Sequence, residues 1–243
     1  MIKKDLGFVL KRYNFRETSL IAHIYTENYG KITGILKGFY TMKKEFSTPL
    51  DNYSLNEFIF YPKKTEIWLV SYADLVSDYS FLRTDLVKIH VAAVIFDVID
   101  RVMQIWDKNQ AVFNLVKECL TYLRCREERK LLYIFLIKFL TLAGVKPHLN
   151  SCLNCHDDLD CDVYFSISKG GLFCSKCLYG IRDIQRIGKE TISCLRYIQR
   201  TEFPYLWRLS PSYKSEEEIF FILKGFIAYH LDYNMSINLE VCN

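Results

Sequence analysis

The sequence contains little glycine and proline, with ten Gly and five Pro among 243 residues. Half of the residues are apolar and a quarter are charged. This composition excludes collagen-like, low-complexity and disordered chains, and it predicts a folded protein with a sizeable core. No apolar run approaches the roughly 20 residues that cross a bilayer. The most apolar stretch, residues 131–145, is interrupted by Lys138 and is better explained by a buried helix.

Familiar catalytic motifs are also missing from the sequence. It contains no Walker A sequence and no GxSxG, HExxH or GxGxxG pattern. The five histidines lie far apart and have no nucleophile pattern nearby. A lone histidine is more often a structural side chain than a base. We therefore expect a protein that is not an enzyme.

Targeting signals and disulfides are not expected either. Residues 1–7 include two lysines but are followed by no apolar segment of the secretory type, so we expect a cytoplasmic protein. Because cytosolic reductants keep thiols reduced, the nine cysteines are not expected to form disulfides. They are candidates for metal binding or catalysis instead. Five of them are scattered and are expected to behave as small hydrophobic residues: Cys119, Cys125, Cys161, Cys194 and Cys242.

The first 78 residues alternate apolar and polar side chains in short runs, the period of β-strands. Leu20, Ala22 and Ile24 share one face of such a run, and Trp68, Val70 and Tyr72 continue the pattern. Five strands in a unit of this size predict a closed OB-type barrel, which leaves no exposed sheet edge. One long polar connection, residues 38–52, is typical of a functional loop.

From about residue 79 the apolar spacing becomes helical. We therefore predict two domains, an OB-fold barrel domain over 1–78 and a helical domain over 79–243. The helix over 131–142 is apolar nearly all round, which predicts the centre of a bundle. Ser215 and Glu218 suggest a capping box for the last helix. The other predicted helices cover 86–102, 112–123, 189–199 and 216–233.

Four cysteines form the strongest motif. Cys152-x-x-Cys155 is followed, after eighteen residues, by Cys174-x-x-Cys177. This is the spacing of a four-cysteine zinc ribbon, and residues 163–173 fit a hairpin that would bring the pairs together. Four thiolates leave no open coordination position, so the segment 150–180 is predicted to hold a structural zinc. His156 and Cys161 remain possible substitute ligands.

Positive charge is concentrated in the predicted barrel. Residues 1–65 carry eleven Lys and Arg but six Asp and Glu, a local net charge of +5 against +4 for the whole chain. Cations interleaved with aromatic rings suit single-stranded nucleic acid, because they pair with phosphates while the rings stack on bases. The alternative is an ordinary solvated strand face. The interleaved aromatic residues are Tyr13, Phe15, Tyr29, Phe39 and Tyr40.

The order of parts, a small basic barrel, a helical bundle and a four-cysteine insert, resembles the RecO family of bacterial recombination mediators. Local strings support the resemblance across most of the chain. They are Gly7-Phe8-Val9-Leu10-Lys11, Tyr25-Thr26-Glu27-Asn28-Tyr29-Gly30-Lys31-Ile32, Gly144-x-x-Pro147 leading into Cys152, and Tyr229-His230-Leu231.

The resemblance implies an α+β multidomain protein with an N-terminal OB-fold barrel and a C-terminal helical bundle that carries the zinc ribbon. It implies a DNA repair and recombination mediator of the RecFOR pathway, cytoplasmic and nucleoid-associated, with no membrane partner. Such a protein binds single- and double-stranded DNA, anneals complementary strands, engages single-strand-binding protein and, with RecR, helps load RecA.

The basic positions that the resemblance assigns to DNA are Lys11, Arg12, Arg16, Lys31, Lys37, Lys43 and Lys44. The family commonly carries an arginine-rich loop after Gly38. This chain has Phe39-Tyr40-Thr41-Met42-Lys43-Lys44 there, so that lysine point charges replace the planar guanidinium groups.

Two hypotheses from other functional classes are alternatives to a DNA repair mediator. One is a protein-interaction adaptor with a structural zinc, whose barrel binds a peptide and which fails to bind DNA at any salt concentration. The other is a zinc-ribbon enzyme that acts on nucleic acid or nucleotide, for which metal-dependent turnover would be the sign.

Overall fold

The computed structural model describes residues 2–41, 50–63, 65–159 and 162–235. Its contacts divide the chain into two compact units, one up to Glu128 and one from Arg129. The boundary that the sequence pattern places after residue 78 marks the change from strands to helices, whereas the compact units divide fifty residues later. The first two long helices therefore belong to the same unit as the barrel.

The first unit contains a closed five-stranded barrel with the strand order β1-β2-β3-β5-β4. All pairings are antiparallel except that of β3 with β5. This arrangement is the OB-fold, and the prediction is confirmed. The strands are β1 (Lys3–Phe15), β2 (Ser19–Thr26), β3 (Gly30–Leu36), β4 (Leu55–Tyr61) and β5 (Ile67–Ser77).

The alternating side chains fill the barrel interior. Leu20, Ala22 and Ile24 are fully buried in the core, as their spacing predicts. On β5 the alternation fails: Ala73 enters the core and Tyr72 does not. The reason is a shift in register with β4 between Ile59 and Phe60, a bulge that reverses the faces of Tyr72 and Ala73 relative to the preceding alternation.

Two helices complete the first unit, α1 (Leu86–Val102) and α2 (Gln110–Leu123). Phe8, on the outer face of β1, packs against the rings of Phe96 in α1 and Phe113 in α2 at centroid distances of 5.7 and 5.0 Å. Gly30 has a φ of +67°, and a Cβ there would lie 2.3 Å from the carbonyl oxygen of Asp107. Glycine is therefore required where the α1–α2 connection meets the start of β3.

The second unit contains α3 (Glu128–Leu142, of which Glu128 belongs to the first unit), α4 (Lys189–Arg200) and α5 (Tyr213–His230). Helix α3 is buried on nearly all sides, in agreement with its apolar pattern. Its buried Lys130 donates to the carbonyl oxygen of Trp207 at 3.0 Å. Half-buried Lys138 donates to that of Gln199, near the C-terminus of α4, at 3.3 Å. Among the described residues, no helix has both the length and the apolar character needed to span a membrane.

A small sheet separates α3 from α4 along the chain. β6 (Val163–Ser166) and β7 (Gly171–Cys174) form the predicted hairpin. A third strand, β8 (Ile184–Ile187), pairs antiparallel with the other edge of β6. The sequence analysis did not predict β8, because it has only four residues and two of them are polar.

Helices α4 and α5 cap each other, and the predicted capping box at Ser215 and Glu218 is wrong. The N-cap of α5 is Ser212, whose hydroxyl accepts from the backbone N–H of Ser215. Glu218 instead accepts from the backbone N–H of Gly188, at the start of α4, at 2.9 Å. In return, Glu190 of α4 accepts from the N–H of Ser212 at 2.8 Å. Each helix thus supplies a carboxylate to the N-terminus of the other.

This reciprocal capping predicts acid sensitivity. Hydrogen bonds from Ser212 and Ser215 hold the pKa of Glu190 below its ordinary value of 4.5. Its stabilising contribution is therefore complete above pH 4.5 and is lost as the pH falls through the folded-state pKa. We expect Glu190→Gln to lower the melting temperature at pH 7, and the difference from the unmodified protein to shrink below pH 4.5. Glu66→Gln, at an exposed position between β4 and β5, is the control, and an equal loss in both variants would contradict the capping role.

Candidate nucleic-acid interface and metal centre

The structure places the basic residues predicted to contact DNA in three different environments. Two of them pair with carboxylates of α1, one holds the end of the long connection, and two are exposed at one end of the barrel. The remaining two, Lys43 and Lys44, lie outside the described residues.

Lys11 and Lys31 point from the barrel to two carboxylates of α1. The Lys11 ammonium lies 2.6 Å from an oxygen of Asp97 and 3.2 Å from one of Asp100. Lys31 donates to the backbone carbonyl of Asp100, and His23 Nδ1 lies 2.9 Å from the Asp100 carboxylate. We call these five residues the barrel–α1 ion cluster.

The pKa values follow the burial and charges of this cluster. Burial raises the pKa of Asp100, but its contacts with His23 and Lys11 outweigh that effect and hold it below the ordinary value. Burial lowers the pKa of Lys11, but Asp97 and Asp100 more than compensate, so that it is raised. Burial lowers the pKa of Lys31. Phosphate would have to compete with these carboxylates, so the DNA-contact role of Lys11 and Lys31 stays a prediction.

Arg12 is engaged at the end of the 38–52 connection. Its guanidinium donates to the carbonyl oxygen of Leu50 at 2.8 Å and lies 3.4 Å from the Asp51 carboxylate. Arg83 contacts the same carboxylate at 2.8 Å. Arg12 therefore anchors the connection where it re-enters the barrel, and a DNA contact would use only its remaining N–H groups.

Arg16 and Lys37 are exposed, and the described part of the chain offers neither of them a carboxylate partner. Arg16 lies in the β1–β2 turn, and Lys37 follows β3 directly. The backbone N–H of Tyr40 donates to Thr18 O at 3.1 Å, which joins the two turns at one end of the barrel. The ring of Tyr40 is half exposed there. This end combines free cations with an accessible ring.

An apolar row crosses the outer surface of the barrel and ends near the same turns. Successive strand pairings align its five members, one from each strand, and all of them are exposed or half-buried. Of these five residues, only Tyr13 is among the candidate aromatic residues predicted from the sequence. The sequence does contain a signal for this row, because all of its members except Tyr13 lie next to other apolar residues on their strands. A strand with a solvated outer face would instead alternate apolar and polar residues. This outer row consists of Tyr13, Ile21, Ile35, Leu69 and Tyr61.

The four cysteines of the predicted zinc motif meet in the second unit. Their sulfur atoms all lie within 4.8 Å of one another. Cys155 and Cys174 Sγ are 3.8 Å apart. Sulfurs held about 2.3 Å from one tetrahedral ion would be separated by about 3.8 Å, whereas a disulfide requires about 2.05 Å. The cluster fits a metal ion. His156 does not join it among the described residues, and Cys161 lies outside them.

The surrounding groups act differently on the individual thiols. The backbone N–H of Asp157 lowers the pKa of Cys155, but burial and the other thiols outweigh it and raise the pKa to about 12; burial and the Cys177 thiol likewise raise the pKa of Cys174. Burial raises the pKa of Cys152, but backbone N–H groups of Cys155, Cys174 and Asn154 outweigh it and lower the pKa to about 6. The side-chain amide of Asn154 donates to Cys177 Sγ at 3.4 Å. Hydrogen bonds of this kind stabilise sulfur in its charged form and orient it toward a metal.

Comparison with known families agrees with this architecture. The family model "Recombination protein O N terminal" matches residues 1–79, and "Recombination protein O C terminal" matches residues 83–235. The chain belongs to the RecO family. The resemblance noted from the sequence is therefore confirmed.

Curated relatives of this RecO-family chain carry the name DNA repair protein RecO. The protein from Alkaliphilus metalliredigens is 28% identical over 245 residues, which cover 99% of this chain and 98% of that protein. The protein from Acetivibrio thermocellus is 25% identical, with 95% and 92% coverage. The similarity thus extends over the barrel, the helices and the cysteine cluster alike.

Removal of the carboxylate shared in the barrel–α1 ion cluster is predicted to lower the stability of this RecO-family protein. Asp100→Asn leaves Lys11, His23 and Lys31 without their common partner in a site where the Asp100 side chain is only 9% exposed. We expect a loss of roughly 3 kcal/mol in the free energy of unfolding, measured by urea denaturation at pH 7. Asp74→Asn, at an exposed position on β5, should change it little. Equal stability of the two variants would show that the cluster does not hold α1 to the barrel.

Proposed function

We propose that this RecO-family protein is a non-enzymatic recombination mediator that binds single- and double-stranded DNA and anneals complementary strands. The observation that carries the proposal is the end of the barrel where Arg16 and Lys37 lie exposed beside the half-exposed ring of Tyr40. The membership in a family of DNA repair proteins supports it.

The chemistry of this surface suits both forms of DNA in different ways. Exposed cations displace the counterions that surround a phosphate backbone, whether the strand is single or paired. Tyr13 and Tyr40 offer ring faces, and the outer row adds apolar surface on which unpaired bases can stack. Because bases in a duplex are already stacked, this second contribution favours single strands.

Annealing needs no bond to be made or broken. Two complementary strands repel each other as polyanions, and neutralisation of their phosphates lowers that barrier. Stacking on exposed rings would hold bases unpaired until the complement arrives. The proposed activity therefore needs neither nucleotide hydrolysis nor a reactive metal.

The proposed partners follow from the family resemblance. They are RecR and single-strand-binding protein, with RecA as the protein that is finally loaded onto the DNA. We propose that this work takes place in the cytoplasm, at the nucleoid.

The DNA proposal predicts the effect of removing the two exposed cations. Arg16→Ala/Lys37→Ala should flatten the log–log dependence of single-strand affinity on salt by about 1.4, since each phosphate contact contributes about 0.7. Affinity should fall roughly 25-fold at 0.1 M salt. Annealing of strands coated with single-strand-binding protein, assayed without ATP, should slow in parallel. The matched control is Lys117→Ala/Lys146→Ala, which removes two exposed lysines elsewhere.

The outcomes of these assays separate the possible functions. An unchanged slope in the Arg16/Lys37 variant would remove both residues from the interface. Binding of DNA without faster annealing would contradict the mediator function. Failure to bind DNA at any salt concentration would favour the adaptor, and metal-dependent turnover of DNA would favour an enzyme.

We also propose that the cysteine cluster holds zinc and that its role is structural. Four sulfur ligands satisfy the tetrahedral preference of zinc and leave no coordination position for a substrate. Cys152, Cys155, Cys174 and Cys177 would bind the ion, which joins the two knuckles of the ribbon. The Sγ separations support this proposal.

Cys174→Ser tests the zinc proposal. The purified protein should contain about one zinc per chain by elemental analysis, and the variant close to none. Structural zinc contributes on the order of 10 kcal/mol to folding in small ribbons, so the 150–180 segment should also become sensitive to proteolysis. Cys125→Ser, at an exposed cysteine outside the cluster, should keep its zinc. Undiminished zinc in Cys174→Ser would contradict the ligand assignment.

A further inference from the structure

A cleft of about 410 Å³ opens beside the second cysteine knuckle, within the second unit. Leu153, Phe173 and Ile181 form its apolar walls, while Asn154, Lys169 and Tyr179 contribute ring and polar groups. This volume falls in the range of roughly 300–1,000 Å³ that is typical of small-molecule sites. We call it the ribbon cleft. Neither the barrel surface nor the metal site uses it, apart from Cys177 at its border.

Tyr179 lies at the rim of the ribbon cleft, in a tight turn of the backbone. The N–H of Ile181 donates to Leu178 O at 3.2 Å, and Gly180 has a φ of +80°. These features match a type II turn, which places its second residue at the tip. Tyr179 has a fractional exposure of 103%, so no described residue covers its ring. Cys177, two residues earlier, ties this turn to the metal cluster.

Asn154 and Lys169 supply the polar groups of the cleft that a ligand can contact. The Asn154 side chain donates to Cys177 Sγ at 3.4 Å, which directs its carboxamide while leaving the oxygen without a partner among the described residues. Lys169 likewise has no carboxylate partner in the described ranges. The carboxylate of nearby Asp183 accepts from the N–H of Ser168 and the hydroxyl of Ser166, so it is directed to that turn and makes no ion pair with Lys169 among the described residues.

Charge divides the ribbon into two sides. A second cleft, of about 280 Å³, is lined by Asp157, Asp158 and Asp162 together with Lys176. The ribbon cleft is lined by no Asp or Glu; Lys169 is its cation, and the Cys177 sulfur lies at its border. A phosphate would therefore meet a cation in the ribbon cleft but three carboxylates in the second cleft.

We propose that the ribbon cleft holds a nucleobase of single-stranded DNA, stacked on Tyr179, with the adjoining phosphate on Lys169. The assignment rests on the proposed DNA-binding function and extends it to the second unit. An exposed ring beside an apolar slot and a cation matches an unpaired nucleotide, whereas bases in a duplex are already stacked. The chain would then carry two strand contacts, one per unit, and annealing could use both.

The test uses the full-length, metal-loaded protein and a hexathymidylate too short to cover an extended surface. Two hexamers should bind per chain. Tyr179→Ala should weaken one of the two sites by about 5- to 150-fold, the range for loss of one base–aromatic stack. Tyr179→Phe should keep it, because the ring is retained. Tyr205→Ala removes another exposed tyrosine of the same unit and is the control. Zinc content reports whether each variant is folded.

A hexamer with 5-iododeoxyuridine supplies an independent readout, since light-induced crosslinking marks the contacted peptide. Crosslinks to the peptide with Tyr179, retained in Arg16→Ala/Lys37→Ala, would support the ribbon site. One bound hexamer that depends on Arg16 and Lys37 and not on Tyr179 would overturn this inference while leaving the barrel function intact. One that depends on Tyr179 alone would overturn the barrel interface instead. No binding by the unmodified protein would overturn both.

Discussion

Four parallel residue pairs between β3 and β5, from Thr33–Ile67 to Leu36–Val70, close the barrel. Without them the remaining antiparallel strands would be an open sheet with two free edges. The same pairing aligns Ile35 with Leu69 and so joins the two halves of the outer row. It also leaves the start of β3 clear of β5, where the α1–α2 connection bonds to Lys31 through the N–H of Trp106 at 2.9 Å. Barrel closure thereby positions both the proposed DNA surface and the helices beside it.

Basic side chains serve two purposes in the first unit, and their surroundings separate the two. Lys11 and Lys31 are near α1, so its carboxylates take up their charge and fasten the helix to the barrel. Arg16 and Lys37 lie in the turns after β1 and β3, where they are exposed and have no carboxylate partner among the described residues. The excess of positive charge on the α1 side of the barrel is therefore smaller than a count of Lys and Arg implies. The exposed cations Arg16 and Lys37 lie together at one end of the barrel.

In the second unit, long-range polar contacts hold short elements whose own sequences are weak. Strand β8 has four residues and is ordered by its pairing with β6. The N-termini of α4 and α5 depend on each other's carboxylates. A metal ion in the cysteine cluster would add a further cross-link. Such a framework presents exposed side chains from fixed turns, which is what the Tyr179 turn requires.

The sequence by itself determined the barrel, the long helices and the group of four cysteines, because each depends on a local period or spacing. Alternation placed Leu20, Ala22 and Ile24 inside, and the paired Cys-x-x-Cys spacing identified all four sulfurs. Only the tertiary structure decided which lysines meet a carboxylate, where bulges turn a strand over, and which carboxylate caps which helix. Periodicity shows the face on which a side chain lies, but the group packed against that face comes from residues far away in the chain. For Lys11 that group is Asp97, eighty-six residues later.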